Sequence, residues 1–224
     1  MVLKLTVDGA ALDREPSEVR LPCASEAEFF ALTEGIEGRV CELADGEASI
    51  LSPVKRRHDA VTGLLCTLLR LFVERRALGR VHGQPYSMRL AEGLIREPDA
   101  FFVTADRARL LGDLYLDGPA DLVIEVVSDT RAGRHRDLVE KRDDYEAHGV
   151  REYWAVDPGR GALRAHVLGD DGRYALVEHR AGRVESVACP GFFLECAWVL
   201  EEPVADDWAC LAALLGPDLG GAGR

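Results

Sequence analysis

The sequence predicts an α/β protein, a mixed central sheet with flanking helices, and three observations carry that expectation. Residues 121–127 are of strand length and dense in valine, leucine and isoleucine. Residues 55–78 are too long for a strand and set Val61, Leu64, Leu65, Leu68 and Phe72 at helical spacing, with Leu69 and Leu71 widening the stripe. So broad an apolar face needs a sheet to cover it. Elsewhere extended and helical runs alternate, with no internal repeat or low-complexity block.

From the start of the chain, residues 2–7 read as an extended segment closed by Asp8-Gly9. Ser25-Glu26-Ala27-Glu28 has the reciprocal capping pattern that satisfies free amides, so a short helix begins there. Residues 39–43 and 47–51 form a hairpin around Ala44-Asp45-Gly46, because Asp-Gly supplies the positive φ of a tight turn. The long helix stops at Gly79. Residues 80–103 are extended and broken at Pro85 and Pro98, and Thr104 caps a short helix over 105–111. After the strand at 121–127 a polar linker leads to a helix over about 134–148, ended by Gly149. Strands follow at 152–156, 162–168 and 173–179, with a turn at Gly169-Asp170-Asp171-Gly172. Residues 205–214 form a terminal helix, and 216–224 fray.

The 27 basic residues against 39 acidic ones give a net charge of −12, which argues against coating nucleic acid by bulk charge. No apolar run approaches the ~20 residues that span a bilayer, so no membrane partner is expected. The six cysteines, Cys23, Cys41, Cys66, Cys189, Cys196 and Cys210, include no Cys-x-x-Cys pair, the usual mark of structural zinc. Most have apolar neighbours, and the opening residues lack the long apolar segment of a signal peptide. Reduced core thiols in a cytoplasmic protein are therefore expected.

Chemistry concentrates on residues 121–127. Alternation sends Leu122, Ile124 and Val126 to one apolar face and Asp121, Val123, Glu125 and Val127 to the other. A carboxylate amid such neighbours is costly unless paired, protonated or bound to a cation. Asp121, at a strand end, reads as exposed; Glu125, between Ile124 and Val126, reads as functional. Upstream, Pro98 marks a strand entry, so Asp99 sits where a strand leaves a turn, as a turn former or as a second acid. Downstream, Asp137, Lys141 and Tyr145 share a helix face, with Lys141 at the margin of its buried side. Lys141 either pairs with Asp137 at the surface or reaches the acids. Two acids on neighbouring extended segments with a cation beside them suit Mg2+ or Mn2+, which bind through one or two carboxylates and phosphate oxygens. Asp99 and Glu125 are expected close enough to share one such ion.

These motifs, Pro98-Asp99, Asp121 through Ser128, Asp137-x-x-x-Lys141-x-x-x-Tyr145, and Gly149 through Pro158, resemble the bacterial putative restriction endonuclease family of the PD-(D/E)XK nuclease superfamily. The stretch Cys41 through Glu47, then Ser52-Pro53 and His58, is similar to the family's N-terminal segment. The resemblance implies a restriction-endonuclease-like core over about 37–158, within a single domain spanning 1–214. It leaves a β-rich extension over 159–214 and a flexible tail over 215–224. It also implies that Asp99 and Glu125 are the motif acids and that Lys141 replaces the superfamily's strand lysine, whose position holds Val127. A further metal-binding acid falls to Glu47 or Glu42, with Glu47 favoured; His58 is a polar accessory, a cap or a surface group.

Two function classes follow. The first is a metal-dependent endonuclease acting on nucleic acid, DNA in particular, and assembled as a homodimer, as the resemblance implies. The second is a catalytically inactive nuclease-fold module that binds nucleic acid or protein; hydrolysis of a small phosphate ester is a third reading. Lys55-Arg56-Arg57 and Arg131, Arg134 and Arg136 are either phosphate contacts or ordinary solvated runs. The apolar runs at 192–194 and 198–200 either complete the core or form a dimer patch.

Overall fold

The computed structural model describes residues 6–7, 10–11, 18–34, 36, 39–51 and 54–216. The expected extended segment at 2–7 and tail at 215–224 thus lie mostly outside the described residues, as do Ser52 and Pro53.

Two short strands, β1 (Thr6–Val7) and β2 (Ala10–Ala11), pair with each other before β3 (Glu18–Pro22). Helix α1 (Glu26–Thr33) starts on the expected cap. Ser25 Oγ accepts the Glu28 amide at 3.2 Å, and Glu28 Oε2 accepts the Ala24 amide at 2.8 Å. The hairpin of β4 (Cys41–Ala44) and β5 (Glu47–Leu51) turns at Asp45 and Gly46, with φ of 52° and 73°. Helix α2 (Arg56–Arg76) buries Val61, Leu64, Leu65, Leu68, Leu69, Phe72 and Val73 along one face. Its stop is Ala77, at φ 53°, rather than Gly79. Gly79 instead begins β6 (Gly79–His82), where a Cβ would lie 2.0 Å from the Val103 carbonyl oxygen. A left-handed alanine is strained by about 1–2 kcal/mol, which glycine does not suffer. Ala77→Gly is therefore expected to raise the urea midpoint by the equivalent of about 1 kcal/mol. A lowered midpoint would contradict this.

The chain continues through β7 (Ser87–Ala91), β8 (Leu94–Arg96), β9 (Ala100–Thr104), a 3-10 turn (Ala105–Leu110), β10 (Tyr115–Asp117) and β11 (Leu122–Val126). Thr104 holds the N-cap position of the turn, as expected, but its side chain makes no capping hydrogen bond. Its amide and hydroxyl donate to Asp121 Oδ2 at 2.8 and 3.1 Å, and Arg107 reaches Asp121 Oδ1 at 2.7 Å. Asp121 is thus a buried clasp between strand ends, rather than an exposed terminus.

The expected helix at 134–148 is composite. It comprises α3 (Arg131–His135), a π-helical turn (Arg136–Glu140) and α4 (Lys141–Ala147). Next come β12 (Glu152–Asp157), β13 (Ala162–Leu168), β14 (Tyr174–His179), β15 (Arg183–Glu185), β16 (Phe193–Glu195), α5 (Cys196–Leu200) and α6 (Asp207–Leu215).

The α/β class with mixed sheet and flanking helices is as the sequence predicts, and most of the strands divide between two six-stranded sheets. Their orders are β10-β7-β8-β4-β5-β3 and β14-β13-β12-β11-β9-β6. Each has one parallel pair, β10 with β7 and β11 with β12. The α3–α4 segment is the crossover that the second pair needs. Leu122, Ile124 and Val126 pack with α2, Trp154, Phe192, Leu194 and Val199, so the C-terminal apolar runs complete the core. Val123 and Val127 pack on the other face with Tyr145 and Tyr153. Among the described residues no helix is long and apolar enough to cross a membrane.

Candidate active site

Strand register brings the two motif acids together. β11 runs antiparallel to β9 with Leu122 opposite Phe102 and Ile124 opposite Ala100. Extending that register one step sets Asp99 opposite Glu125, the placement in which side chains of neighbouring strands meet. Both line a cavity of about 150 Å3, together with His58, Gln84, Asp137 and Lys141.

Lys141 is buried, not marginal, with 2% exposure. The reason is the π turn, in which the Lys141 amide reaches back five residues to the Arg136 carbonyl. The extra residue rotates the following helix relative to the preceding one, and Asp137, Lys141 and Tyr145 are all buried. The Lys141 ammonium donates to Glu125 Oε1 at 2.7 Å and lies 2.7 Å from Glu42 Oε1. Tyr145 donates its hydroxyl to the same Glu125 oxygen at 2.8 Å.

Glu42 and Glu47 take different places. Glu42 is fully buried beside Lys141, and its Oε2 accepts Arg96 at 3.0 Å. Glu47 begins β5 exposed, 3.8 Å from Arg20, and does not line the cavity. Hairpin geometry explains the split: Glu47 sits beside the exposed turn, whereas Glu42 lies mid-strand where β4 meets β8.

Asp99 is held by two groups. Val126 donates its amide to Oδ2 at 2.6 Å, and Gln84 donates Nε2 to Oδ1 at 2.7 Å. His58 Nε2 stands 3.6 Å from Oδ2, and its Nδ1 meets Thr62 Oγ1 at 3.3 Å. On another wall, Asp137 Oδ2 accepts the Ser128 amide at 2.9 Å. Gln84 carries no signal in the sequence, lying alone in a loop. Arg96 and Asp137 carry one, as charged residues beside otherwise apolar or motif positions.

The electrostatics separate these acids. Burial alone would raise the Glu42 carboxyl, but the Lys141, Arg96 and Arg136 charges hold it down at about 2. Burial, then the Glu125 charge, push Asp99 well above the usual carboxylate range. Glu125 is also raised, by burial and by Asp137 and Glu42, against the pull of Lys141. Burial would lower Lys141, yet Glu125, Glu42 and Asp137 keep it cationic. Burial lowers His58.

Asp99 and Glu125 therefore present carboxyl oxygens in one small cavity, where a hard divalent cation would offset the charge that burial disfavours, so the donor set fits such an ion. Among the described residues no three His, Cys, Asp or Glu side chains form a ready metal cage. Mg2+ needs none, since it binds through one or two carboxylates and retains several waters. Glu42, with its oxygens on Lys141 and Arg96, acts as the counter-charge that keeps the lysine in place.

In fold the chain is similar to a protein of Anabaena variabilis described as a putative nuclease. The TM-score is 0.59 at 13% identity, over 71% of this chain and 89% of that one. The mixed α/β fold is thus shared with that protein. The chain belongs to the Uma2 family, described as "Putative restriction endonuclease", whose model matches residues 27–197. The comparison with curated proteins gives no match.

Proposed function

We propose that this chain is a divalent-metal-dependent endonuclease that hydrolyses phosphodiester bonds of DNA, working in the cytoplasm as a homodimer. The observation that carries the reading is the Lys141 ammonium, fixed 2.7 Å from Glu125 Oε1 in the cavity that Asp99 also lines. The descriptions of the family and of the Anabaena protein support it.

When bound, Mg2+ or Mn2+ would be held by Asp99 and Glu125 and would supply phosphoryl polarisation and a more acidic water. The chain's own residues do the rest. Lys141 is a preorganised cation for charge that develops on the phosphoryl oxygens. Gln84 and the Val126 amide fix the orientation of Asp99, and His58 closes the cavity beside it. At about 150 Å3 the cavity suits a backbone phosphate group rather than a whole nucleoside.

The net charge of −12 is offset locally. Lys55 and Arg57 line the cavity, and Lys55 is 73% exposed while paired with Asp129 at 3.0 Å. Such an exposed pair is worth about 0–1 kcal/mol, so exchanging Asp129 for a phosphate costs little. All six cysteines are free thiols, as a reducing compartment requires. The homodimer rests on the family resemblance and is read by sedimentation equilibrium.

Supercoiled plasmid, linear duplex, single-stranded DNA and RNA, each with Mg2+ or Mn2+, test the proposal. Cleavage of DNA is expected, lost on chelation and reduced at least ~10²-fold in Glu125→Ala. If no nucleic acid is cut with either ion, the fold serves as a non-catalytic binding module instead.

A further inference from the structure

Tyr145 is fully buried and forms no part of the wall of the Asp99 cavity. Its hydroxyl nevertheless reaches the site, donating to Glu125 Oε1 at 2.8 Å. The same oxygen accepts the Lys141 ammonium at 2.7 Å. A carboxyl oxygen has two lone-pair sites, so these two donors saturate Oε1. Among the described residues no group donates to Glu125 Oε2, and that oxygen is not among the sealed, unpartnered ones. The two oxygens of Glu125 therefore differ. Oε1 is held by the protein, and Oε2 is left for the cavity that Glu125 lines.

The two donors are unlike. The Lys141 ammonium is shared, 2.7 Å from Glu125 Oε1 and 2.7 Å from Glu42 Oε1. An ammonium is a point charge on a flexible stem, so it attracts the carboxyl without fixing its direction. The Tyr145 hydroxyl rides on a rigid ring. That ring packs edge-on against Tyr153, with centroids 5.1 Å apart at 66°. Tyr153 is itself tied down, its hydroxyl donating to the Asp137 carbonyl at 2.7 Å. Tyr145 also follows Lys141 by four residues on α4, which sets both donors on the same helix face.

We infer that Tyr145 is a positioning residue for metal binding: it orients the Glu125 carboxyl so that Oε1 stays with Lys141 and Oε2 is the oxygen offered to a divalent cation. Lys141 supplies the charge and Tyr145 the direction. Carboxylates that bind metals are commonly held from behind by such hydrogen bonds, and losing one weakens the metal. The inference rests on the reading of Glu125 as a metal ligand but not on turnover, because it is measured by binding.

The test is calorimetric titration of the full chain with Mn2+, without nucleic acid. Tyr145→Phe removes the hydroxyl and keeps the ring, and Mn2+ is expected to bind it ~10-fold more weakly than the wild type. Tyr174→Phe is the control. It loses a hydroxyl that donates to the Val150 carbonyl at 2.8 Å, on β14, three strands away from β11. That variant is expected to keep the wild-type affinity for Mn2+, even where its melting temperature in chelator falls as far as that of Tyr145→Phe. Should Tyr145→Phe fail to fold, wild-type chain labelled with 13C at tyrosine Cζ gives a second reading. The Tyr145 resonance is expected to shift on adding Mg2+, and the Tyr174 resonance to stay. Unchanged Mn2+ affinity in Tyr145→Phe, an equal loss in Tyr174→Phe, or a Tyr145 resonance indifferent to Mg2+ would overturn the inference and leave the metal site in place. Wild-type chain that takes up no Mn2+ would overturn both. Mn2+ binding that weakens in Tyr145→Phe alone, in a chain that cuts no nucleic acid, would support the inference and remove only the nuclease reading.

Discussion

Replacing Lys141 by methionine should lower the phosphodiesterase rate by ~10²–10³, the usual loss when a preorganised transition-state donor is removed. The same change strips the cation from between Glu125 and Glu42, both of them buried. Breaking a buried pair from one side costs about 3–5 kcal/mol, so a large drop in stability should accompany the loss of rate. Urea unfolding and single-turnover rates with excess enzyme, measured in parallel, separate the two effects. Adding Val127→Lys should restore part of the rate, because Val127 lies on the Glu125 face of the strand and packs with Tyr145. Overpacking there costs about 1–3 kcal/mol and limits the recovery. Full activity in folded Lys141→Met would remove the lysine from the mechanism.

Asp99→Asn should change stability in the opposite direction. Burial and the Glu125 charge raise the Asp99 carboxyl well above its ordinary value. The folded state therefore binds a proton more readily than the unfolded chain, and stability falls as pH rises from the unfolded value of about 4. Glu125, also raised by burial, acts with the same sign. At pH 7 with chelator, the asparagine variant should melt above the wild type, and the gap should close as pH falls toward about 4. Asparagine keeps an acceptor for the Val126 amide, and the Gln84 amide can turn over to accept from Nδ2. If Asp99 and Glu125 hold the ion as proposed, the order should reverse in Mn2+, because only the wild type would keep both ligands and the upward shift they would confer. A variant that melts below the wild type at pH 7, or keeps the whole Mn2+ shift, would take Asp99 out of the metal site.

The legibility of the site divides by the range of the interactions involved. Glu125 could be read because period-two alternation is local: Ile124 and Val126 flank it on a strand whose five residues are all buried. The common face of Asp137, Lys141 and Tyr145 was likewise a matter of spacing within one segment. The burial depth of Lys141 was not, because it depends on a π turn that no periodicity announces. The Ala77 stop and the use of Gly79 for close strand approach were hidden for a similar reason. Glycine marks both a helix end and a tight contact, and only the neighbouring Val103 carbonyl decides between them.

The sequence by itself determined the α/β class, the main helices and strands, and the candidates Asp99, Glu125 and Lys141, since each follows from patterns within some twenty residues. Tertiary structure alone decided that Glu42 rather than Glu47 meets Lys141, and that Gln84 and His58 attend Asp99. Those choices depend on strand order. β4 lies beside β8, with Leu43 opposite Ile95, and β9 lies between β11 and β6. Pairings between such distant segments are set by burying apolar faces together, and they carry polar side chains to one another as a consequence.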